Sequence, residues 1–194
     1  MTEVVTAKLD APITFIPNFL EQETANEAFD ALLSEIPWER RITEMYGKNV
    51  PVPRMEVWVA DYAYTYSRRT YQPTPWTPTL VKLKANIEAT IRTGFNSVLL
   101  NRYESGSDSV GWHSDDEPEM SQDHPIASLS LGAIRSFQIR KGHGPVQIIE
   151  LGHGSLLVMH ADMQKEWKHQ IPKTKKPCGT RINLTFRWMN FSAD

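Results

Sequence analysis

The stretch NRYESGSDSVGWHSDD, residues 101–116, decides how the rest of this chain is interpreted. It follows the apolar run 98–100, which predicts a strand, and it contains His113 and Asp115 two positions apart. In extended backbone, side chains at i and i+2 point to the same face, so this imidazole and this carboxylate converge. A divalent metal that takes nitrogen and oxygen ligands suits such a pair. The stretch therefore predicts part of a metal site that needs a third ligand.

Length and composition set limits on the class of protein. With 194 residues the chain is long enough for one domain with a substantial core. Its net charge of −2 gives no global basic field for nucleic acid, although a local patch remains compatible. The single cysteine, Cys178, excludes an internal disulfide framework and a cysteine-based zinc site. We expect a monomer without a membrane segment, cytoplasmic or, in a eukaryote, nuclear.

The hydrophobic pattern predicts an α+β domain. Apolar residues at helical spacing predict a helix over 21–36, and Thr77-Pro78 starts a second helix that we expect Gly94 to end. Between them, 38–46 and 52–60 are predicted to pair as a hairpin around the turn 47–51. About 1–95 would thus form helices and a lid, and about 96–190 a sandwich or barrel of antiparallel strands. Its strand candidates are 96–103, 126–131, 135–140, 146–150, 155–160, 168–171 and 181–189.

Two histidines are candidates for the third metal ligand. His160 ends an apolar run, and His169 lies on the next strand candidate, where it can fold back beside His113. Strand geometry alone leaves both alternatives open. Either one completes a set of two histidines and one carboxylate, which leaves the opposite face of a metal free, as in non-haem Fe(II) oxygenases.

The last strand candidate alternates strictly between polar and apolar residues. Ile182, Leu184, Phe186 and Trp188 point one way, and Arg181, Asn183, Thr185 and Arg187 point the other way. One interpretation is an exposed edge strand. The other is an anion site, because an arginine fork pairs bidentately with a carboxylate and two arginines suit a dicarboxylate. Asn101 and Tyr103 also alternate on one strand and can reach the same ligand.

Tyrosines alternate along residues 62–71, with the basic pair Arg68-Arg69 among them. Packing across a sheet explains such a pattern. A stacking surface for a planar ligand, with arginines available for phosphate, is the functional alternative.

Together these motifs resemble the AlkB family of Fe(II)/2-oxoglutarate dioxygenases, and most closely its DNA-repair branch. The resemblance covers about residues 40–190. It rests on motifs that occur in the family's order, which are Asn101-x-Tyr103, His113-x-Asp115-Asp116, Pro125 to Gly132, His153 to Met159, His169, and Arg181-x-Asn183-x-Thr185-x-Arg187. Pro53-Arg54 and Tyr64-Thr-Tyr66-Ser67 are similar to the repair branch.

The resemblance implies a double-stranded β-helix (jelly-roll) core with a β-hairpin nucleotide-recognition lid. His113, Asp115 and His169 would bind Fe(II) and perform catalysis, which favours His169 over His160. Arg181 would pair with the distal carboxylate of 2-oxoglutarate and Arg187 with the carboxylate beside the keto group. The remaining members of the implied cosubstrate site are Asn101, Tyr103, Asn183 and Thr185.

The resemblance also implies substrate contacts. Tyr66 would stack on the damaged base opposite His113, Asp116 would accept a hydrogen bond from its exocyclic amine, and Tyr64 would help to fix the base. Tyr46, at the hairpin tip, would act as a wedge in the duplex. Arg54 and Ser67 complete the implied set of substrate-binding residues.

The implied function is oxidative demethylation of 1-methyladenine and 3-methylcytosine in alkylated DNA. Dioxygen and 2-oxoglutarate would be consumed, and succinate and formaldehyde released. Two alternatives remain open. One is a 2-oxoglutarate dioxygenase acting on RNA, protein or lipid, and the other is a non-catalytic nucleic-acid-binding module whose arginines contact phosphates.

Overall fold

A computed structural model describes residues 10–45, 48–62, 64–66, 69–71 and 73–190, and the side chains of 43–49 and 63–72 lie outside the described part. The helices are α1 (Gln22–Glu35), α2 (Pro78–Ile91) and the short α3 (Met163–Glu166). In chain order, the strands are β1 (Ile13–Ile16), β2 (Ile42–Met45), β3 (Lys48–Pro51), β4 (Met55–Ala60), β5 (Tyr64–Tyr66), β6 (Arg69–Tyr71), β7 (Ser97–Tyr103), β8 (Val110–His113), β9 (Ile126–Gly132), β10 (Arg135–Lys141), β11 (Gln147–Leu151), β12 (Ser155–Met159), β13 (Trp167–Ile171) and β14 (Arg181–Arg187).

The strands form two main antiparallel sheets. The larger sheet has the order β1-β12-β9-β14-β7-β4, and the smaller one has the order β11-β10-β13-β8. Two further pairs, β2–β3 and β5–β6, form separate two-stranded sheets. The chain is therefore rich in antiparallel sheet with few helices. Within the described ranges, no helix is long and apolar enough to cross a membrane.

Alternation along the strands builds two apolar layers. On β12, Leu156 and Val158 belong to a cluster that also contains buried residues of α1 and α2, so this layer lies between the helices and the larger sheet. Leu157 and Met159 point the other way, into a cluster shared with the smaller sheet. Because successive side chains point to opposite faces, one strand contributes to both layers. The larger sheet is thus buried on both faces.

The seven strand candidates of the C-terminal half agree with observed strands to within one or two residues at each end. They correspond to β7 and to β9 through β14. The short strand β8 was not predicted, because Val110-Gly-Trp-His lies in a segment rich in Gly, Ser and Asp that indicates loop.

The predicted hairpin was wrong in its pairing. Residues 42–45 pair with 48–51, closer in sequence than expected. The second predicted strand instead supplies β4, which pairs along its whole length with β7. Between the two predicted partners, the described structure has an isolated bridge of Glu39 with Glu56 and a hydrogen bond from Val52 N–H to the Arg41 carbonyl oxygen, without a regular ladder. The physical reason is burial, because residues 57–60 are apolar and buried in the larger sheet, where a two-stranded hairpin would leave one face in water.

The end of α2 also differs from the prediction. The C-cap is Arg92, in the left-handed conformation with φ 56°, and not Gly94. Its backbone N–H donates to the Glu88 carbonyl oxygen at 2.8 Å, which closes the helix two residues early.

Removing apolar volume from the central strand should destabilise the domain strongly. Leu184 on β14 is fully buried among helix and sheet residues. We expect Leu184→Ala to lower the free energy of unfolding by about 2–5 kcal/mol, measured by urea denaturation. The control is Val81→Ala on the exposed side of α2, which should change it by less than about 0.5 kcal/mol. Equal effects of the two substitutions would contradict this layer assignment.

Candidate active site

A cavity of about 160 Å³ opens between the two main sheets. One wall is the polar face of β14 together with inward residues of β7 and β9, and the other wall comes from β8 and β13. The predicted metal and cosubstrate residues all line it, namely Asn101, Tyr103, His113, Asp115, His169, Arg181, Asn183, Thr185 and Arg187. Fold topology therefore brings together residues that are up to 86 positions apart in sequence, from Asn101 to Arg187.

Three of these residues form a group suited to a metal ion. One ligand atom from each of His113, Asp115 and His169 lies within 4.8 Å of the others. The pairing of β13 with β8 sets His169 directly opposite His113, with ring centroids 4.2 Å apart. The carboxylate of Asp115 reaches both rings, at 3.7 Å from His113 Nε2 and 3.9 Å from His169 Nε2.

Each imidazole directs one nitrogen toward the Asp115 carboxylate. His113 Nδ1 donates to the Gly111 carbonyl oxygen at 2.8 Å, which places Nε2 on the side of Asp115. Burial lowers the pKa of His169 to about 4, against the raising effect of Asp115. His169 is therefore neutral at physiological pH, as a metal ligand must be.

Asp115 is ionised despite being buried. Burial by itself would raise its pKa, but the charge of Arg187, followed by the two histidines, holds the pKa of this carboxyl below its usual value. Arg187 Nη2 donates to Asp115 Oδ1 at 2.8 Å. On the backbone side, Asp115 N–H donates to the buried Gln164 Oε1 at 2.9 Å, which fixes the residue from α3. Gln164 has no signal in the sequence pattern, because it is one polar residue in a four-residue helix.

A connected row of polar side chains runs along β14. Asn183 Nδ2 donates to Thr185 Oγ1 at 2.8 Å, and Asn183 Oδ1 accepts from Arg181 at 2.7 Å and from Ser128 Oγ at 3.0 Å. These contacts occur because residues 181, 183 and 185 share one face of the strand. The edge-strand interpretation of this face was wrong, since β14 lies between β9 and β7 in the larger sheet.

Arg181 is the most deeply buried charge in the cavity. It is 1% exposed, and its Nη2 donates to Ser130 Oγ and Asn183 Oδ1, while Nε and Nη1 have no hydrogen-bond partner in the described structure. A buried cation with unused donors is unfavourable unless an anion joins it. The closed end of the cavity therefore suits a carboxylate.

Arg54 and Glu56 connect the cosubstrate side of the cavity to the base of the first hairpin. Arg54 Nε donates to Asn101 Oδ1 at 2.6 Å, and its Nη2 lies 3.2 Å from Glu56. The same carboxylate is 3.4 Å from Arg41, which directly precedes β2. Arg54 was expected to contact substrate, and its side chain does line the cavity.

The predicted base contact Asp116 lies on the surface, whereas its neighbour Glu117 lines the cavity. Burial raises the pKa of the Glu117 carboxyl, against the opposing charge of Arg187, and its Oε2 has no hydrogen-bond partner in the described residues. Alternation could have indicated Glu117, because it lies two positions after Asp115 and four after His113.

Several predicted substrate residues cannot be placed. Tyr46 and Ser67 lie outside the described residues, and Tyr64 and Tyr66 belong to β5, whose side chains are not described. The alternative metal ligand His160 lies elsewhere, with its Nε2 2.9 Å from Thr14 Oγ1.

The cavity has the donors required by a metal and by a small dicarboxylate. Two imidazoles and one carboxylate on neighbouring backbone segments match an iron site with open positions. Arg181 and Arg187, separated along β14 by the Asn183–Thr185 row, offer two places for carboxylate groups. His113, Asp115 and His169 could hold Fe(II), and Arg181 could hold the far end of 2-oxoglutarate.

Residues 12–187 match the model of the 2OG-Fe(II) oxygenase superfamily, so the chain belongs to that superfamily. The chain belongs to the AlkB family within that superfamily. It is 39% identical over 186 residues to alpha-ketoglutarate-dependent dioxygenase alkB homolog 3 of Mus musculus, covering 90% of this chain and 65% of that protein. It is 37% identical over 180 residues to DNA oxidative demethylase ALKBH2 of Mus musculus, covering 87% of this chain and 72% of that one.

The chain thus spans slightly less than two thirds of the length of the alkB homolog 3 proteins that it matches. Among solved structures, OsALKBH1 superposes with a TM-score of 0.66 at 17% identity, covering 93% of this chain and 98% of that one. An oxidoreductase of the 2OG-Fe(II) oxygenase family from Burkholderia pseudomallei gives a TM-score of 0.61 at 14% identity, with 93% and 86% covered. At these identities, the two structures support the fold alone.

Acid should destabilise the metal-free protein through His169. Its folded-state pKa of about 4 lies below the ordinary 6.5, so the unfolded chain takes up the proton first. The contribution of neutral His169 to the free energy of unfolding is therefore complete above pH 6.5 and is lost as the pH falls toward 4. Between these two pH values, the free energy of unfolding from denaturant titrations should depend less on pH for His169→Gln than for the natural chain. His160→Gln is the control, and an unchanged slope in His169→Gln would contradict the assignment.

Proposed function

We propose that this protein removes methyl groups oxidatively from alkylated nucleobases, with 1-methyladenine and 3-methylcytosine in DNA as its substrates. The observation that carries the proposal is the single cavity that joins the His113–Asp115–His169 group to the uncompensated guanidinium of Arg181. The names of the relatives support it, since they are described as a DNA oxidative demethylase and an alpha-ketoglutarate-dependent dioxygenase. We assign the two facing sheets to a double-stranded β-helix core.

The metal would be held by His113, Asp115 and His169, and the cosubstrate by residues of β14 and β7. Arg181 would receive the distal carboxylate and Arg187 the carboxylate beside the keto group, with Asn101, Tyr103, Asn183 and Thr185 completing the site. When bound, Fe(II) supplies the activation of dioxygen that couples decarboxylation of 2-oxoglutarate to hydroxylation of the methyl group. Methyl carbon then leaves as formaldehyde, with succinate and carbon dioxide as the other products.

The chain's own residues prepare this chemistry by position and charge. Arg187 keeps Asp115 ionised for the metal through its Nη2 donor. The remaining N–H donors of its guanidinium would be available to the cosubstrate. The Arg54–Asn101 hydrogen bond orients the Asn101 amide toward the same ligand. Because the arginine forks are already fixed by protein contacts, little conformational freedom is lost on binding.

A substrate base would enter beside Glu117. A second cavity of about 190 Å³ shares Arg54, Leu99, Glu117 and Arg187 with the first and extends toward Trp58 and two methionines. Methylation of a ring nitrogen leaves the base positively charged and weakens its pairing, so it is more easily flipped out of a duplex. Asp116 would accept a hydrogen bond from the exocyclic amine of such a base, as the family resemblance implies. The neighbouring carboxyl of Glu117 would offer it a second hydrogen-bond partner and a negative charge.

We assign nucleotide recognition to the two small sheets β2–β3 and β5–β6. Tyr66 would stack on the base opposite His113, Tyr64 and Ser67 would help to orient it, and Tyr46 would fill the gap in the duplex. Arg54 would link this lid to the cavity. Base stacking on aromatic rings tolerates any sequence, which suits a repair enzyme.

Metal binding should depend on His169 and not on His160. We expect His169→Ala to weaken Mn(II) binding by more than about 100-fold, beyond the loss that outer-shell partners cause. Isothermal calorimetry on metal-free protein measures this without turnover. His160→Ala is the matched control and should bind Mn(II) as the natural chain does. Equal affinities in the two variants would remove His169 from the site.

The proposed activity is tested by mass spectrometry of methylated oligonucleotides. With Fe(II), 2-oxoglutarate and ascorbate, a 1-methyladenine DNA strand should lose its methyl group, with formaldehyde and succinate formed in equal amounts. Arg181→Ala should act mainly by raising the KM for 2-oxoglutarate, because it removes a ground-state contact.

Parallel reactions with methylated RNA and with peptides identify the substrate class. An unchanged DNA strand together with demethylated RNA would reassign the substrate. Mn(II) and 2-oxoglutarate binding without turnover of any methylated substrate would reject demethylation. Binding of nucleic acid without any metal or 2-oxoglutarate affinity would instead favour a non-catalytic binding module.

A further inference from the structure

We infer that Arg135 is a positioning residue for the distal carboxylate of 2-oxoglutarate, acting through Tyr103 as a second buried cation close to Arg181. This inference rests on the proposed function, because it concerns the same cosubstrate. Arg135 is not among the residues that line the cavity, and it belongs to none of the sequence motifs that indicate the metal or cosubstrate site.

The first observation is how Arg135 is held. It begins β10, is 3% exposed, and points inward with Phe137 and Ile139, which share its face of the strand. Its guanidinium donates to three backbone carbonyls, those of Ser105 at 3.1 Å, Asp108 at 2.9 Å and Pro172 at 2.7 Å. The side chain therefore joins the loop after β7 to the residue that follows β13, and its own position is fixed.

The second observation concerns charge. Carbonyl oxygens satisfy the donors of Arg135 but carry no formal charge, and within the described part of the chain no carboxylate forms an ion pair with Arg135 or Arg181. Both cations are almost fully buried. Two buried positive charges without a counter-charge are costly in a medium of low dielectric constant. An anion that enters the closed end of the cavity relieves that cost.

The third observation is the aromatic ring that both cations contact. Arg135 Cζ lies 5.6 Å and Arg181 Cζ 5.2 Å from the centroid of the Tyr103 ring. A cation beside an aromatic ring is attracted by its π-electrons, so both guanidiniums fix the orientation of Tyr103. Burial and the positive charge of Arg135 lower the pKa of Arg181 to about 10, against the opposing effect of Tyr103. The two arginines are therefore close enough to interact electrostatically.

A ligand that carries a second carboxylate should benefit from Arg135 more than a ligand that lacks it. 2-Oxopentanoate is the appropriate comparison, because it keeps the keto acid and the chain length of 2-oxoglutarate and replaces the distal carboxylate with a methyl group. Any loss through general misfolding of the cavity would weaken both ligands. A loss through the charge at the closed end would weaken 2-oxoglutarate alone.

The experiment measures the dissociation constants of both ligands by calorimetry on Mn(II)-loaded protein, which does not turn over. We expect Arg135→Gln to weaken 2-oxoglutarate binding by about tenfold, the order expected for one buried charge at an effective dielectric constant near 20. Binding of 2-oxopentanoate should change by less than about twofold. In turnover assays, the KM for 2-oxoglutarate should rise while kcat at saturation stays within about twofold.

Arg140→Gln is the matched control. Arg140 lies on the same strand but on its opposite face, where its guanidinium is 4.2 Å from the Trp112 ring centroid. This substitution should leave both dissociation constants unchanged. If Arg135→Gln weakens the two ligands equally, or neither of them, the inference is overturned and Arg135 is only a structural contact between loops.

If Arg135→Gln does not fold, Arg135→Lys tests whether the positive charge at this position favours 2-oxoglutarate binding. Lysine keeps the charge without the three-carbonyl fork, so the preference for 2-oxoglutarate over 2-oxopentanoate should stay within about threefold of the natural chain, even if the melting temperature falls. Loss of that preference in a folded lysine variant would overturn the role of the charge. Failure of the natural chain to bind 2-oxoglutarate would instead reject the proposed function itself.

Discussion

The strict alternation of side chains along β14 is the constraint on which the rest of the structure depends. One face of this strand buries Ile182, Leu184 and Phe186 against the helices, and the other face presents two arginines and the polar row between them. The strand is paired on both sides, so this polar face lies in the middle of the larger sheet and not at its edge. The smaller sheet covers it, and the polar side chains line the cavity that also contains the metal-binding group.

Charge balance in the cavity follows from this arrangement. Arg187 is compensated within the protein by Asp115, whereas Arg181 has only neutral partners. The two arginines on one strand face therefore differ in their electrostatic role. Arg187 forms an ion pair with Asp115, one of the three potential metal ligands. Arg181 keeps an unpaired positive charge that a small anion can neutralise. A protein with both arginines paired internally would be more stable without a ligand and would bind a dicarboxylate less well.

Sequence patterns and the family resemblance were sufficient to predict the last strand and the three potential metal ligands. Period-two alternation located β14 and the His113–Asp115 pair, and the family resemblance selected His169, which the structure places beside them. Sequence patterns were insufficient to predict which strands pair and which single side chains contact the site from distant segments. The hairpin pairing was wrong because β4 gains more burial beside β7. Gln164 and Arg135 were missed because each makes its contacts with a distant segment, which no local spacing records. Glu117 was missed although its spacing to His113 and Asp115 indicates the same side of the chain.

The separation of the small hairpin sheets from the two main sheets has an evolutionary consequence. Arg187 contacts Asp115 and also lines the cavity, so a single substitution there changes both the metal-binding group and the cavity wall. The hairpins β2–β3 and β5–β6 form their own sheets and hydrogen-bond to neither main sheet through regular strand pairing. Their residues can diverge while the core stays intact. Descendants of such a chain could therefore change the surface that the hairpins present by replacing a few residues there, while the cavity between the main sheets stays the same.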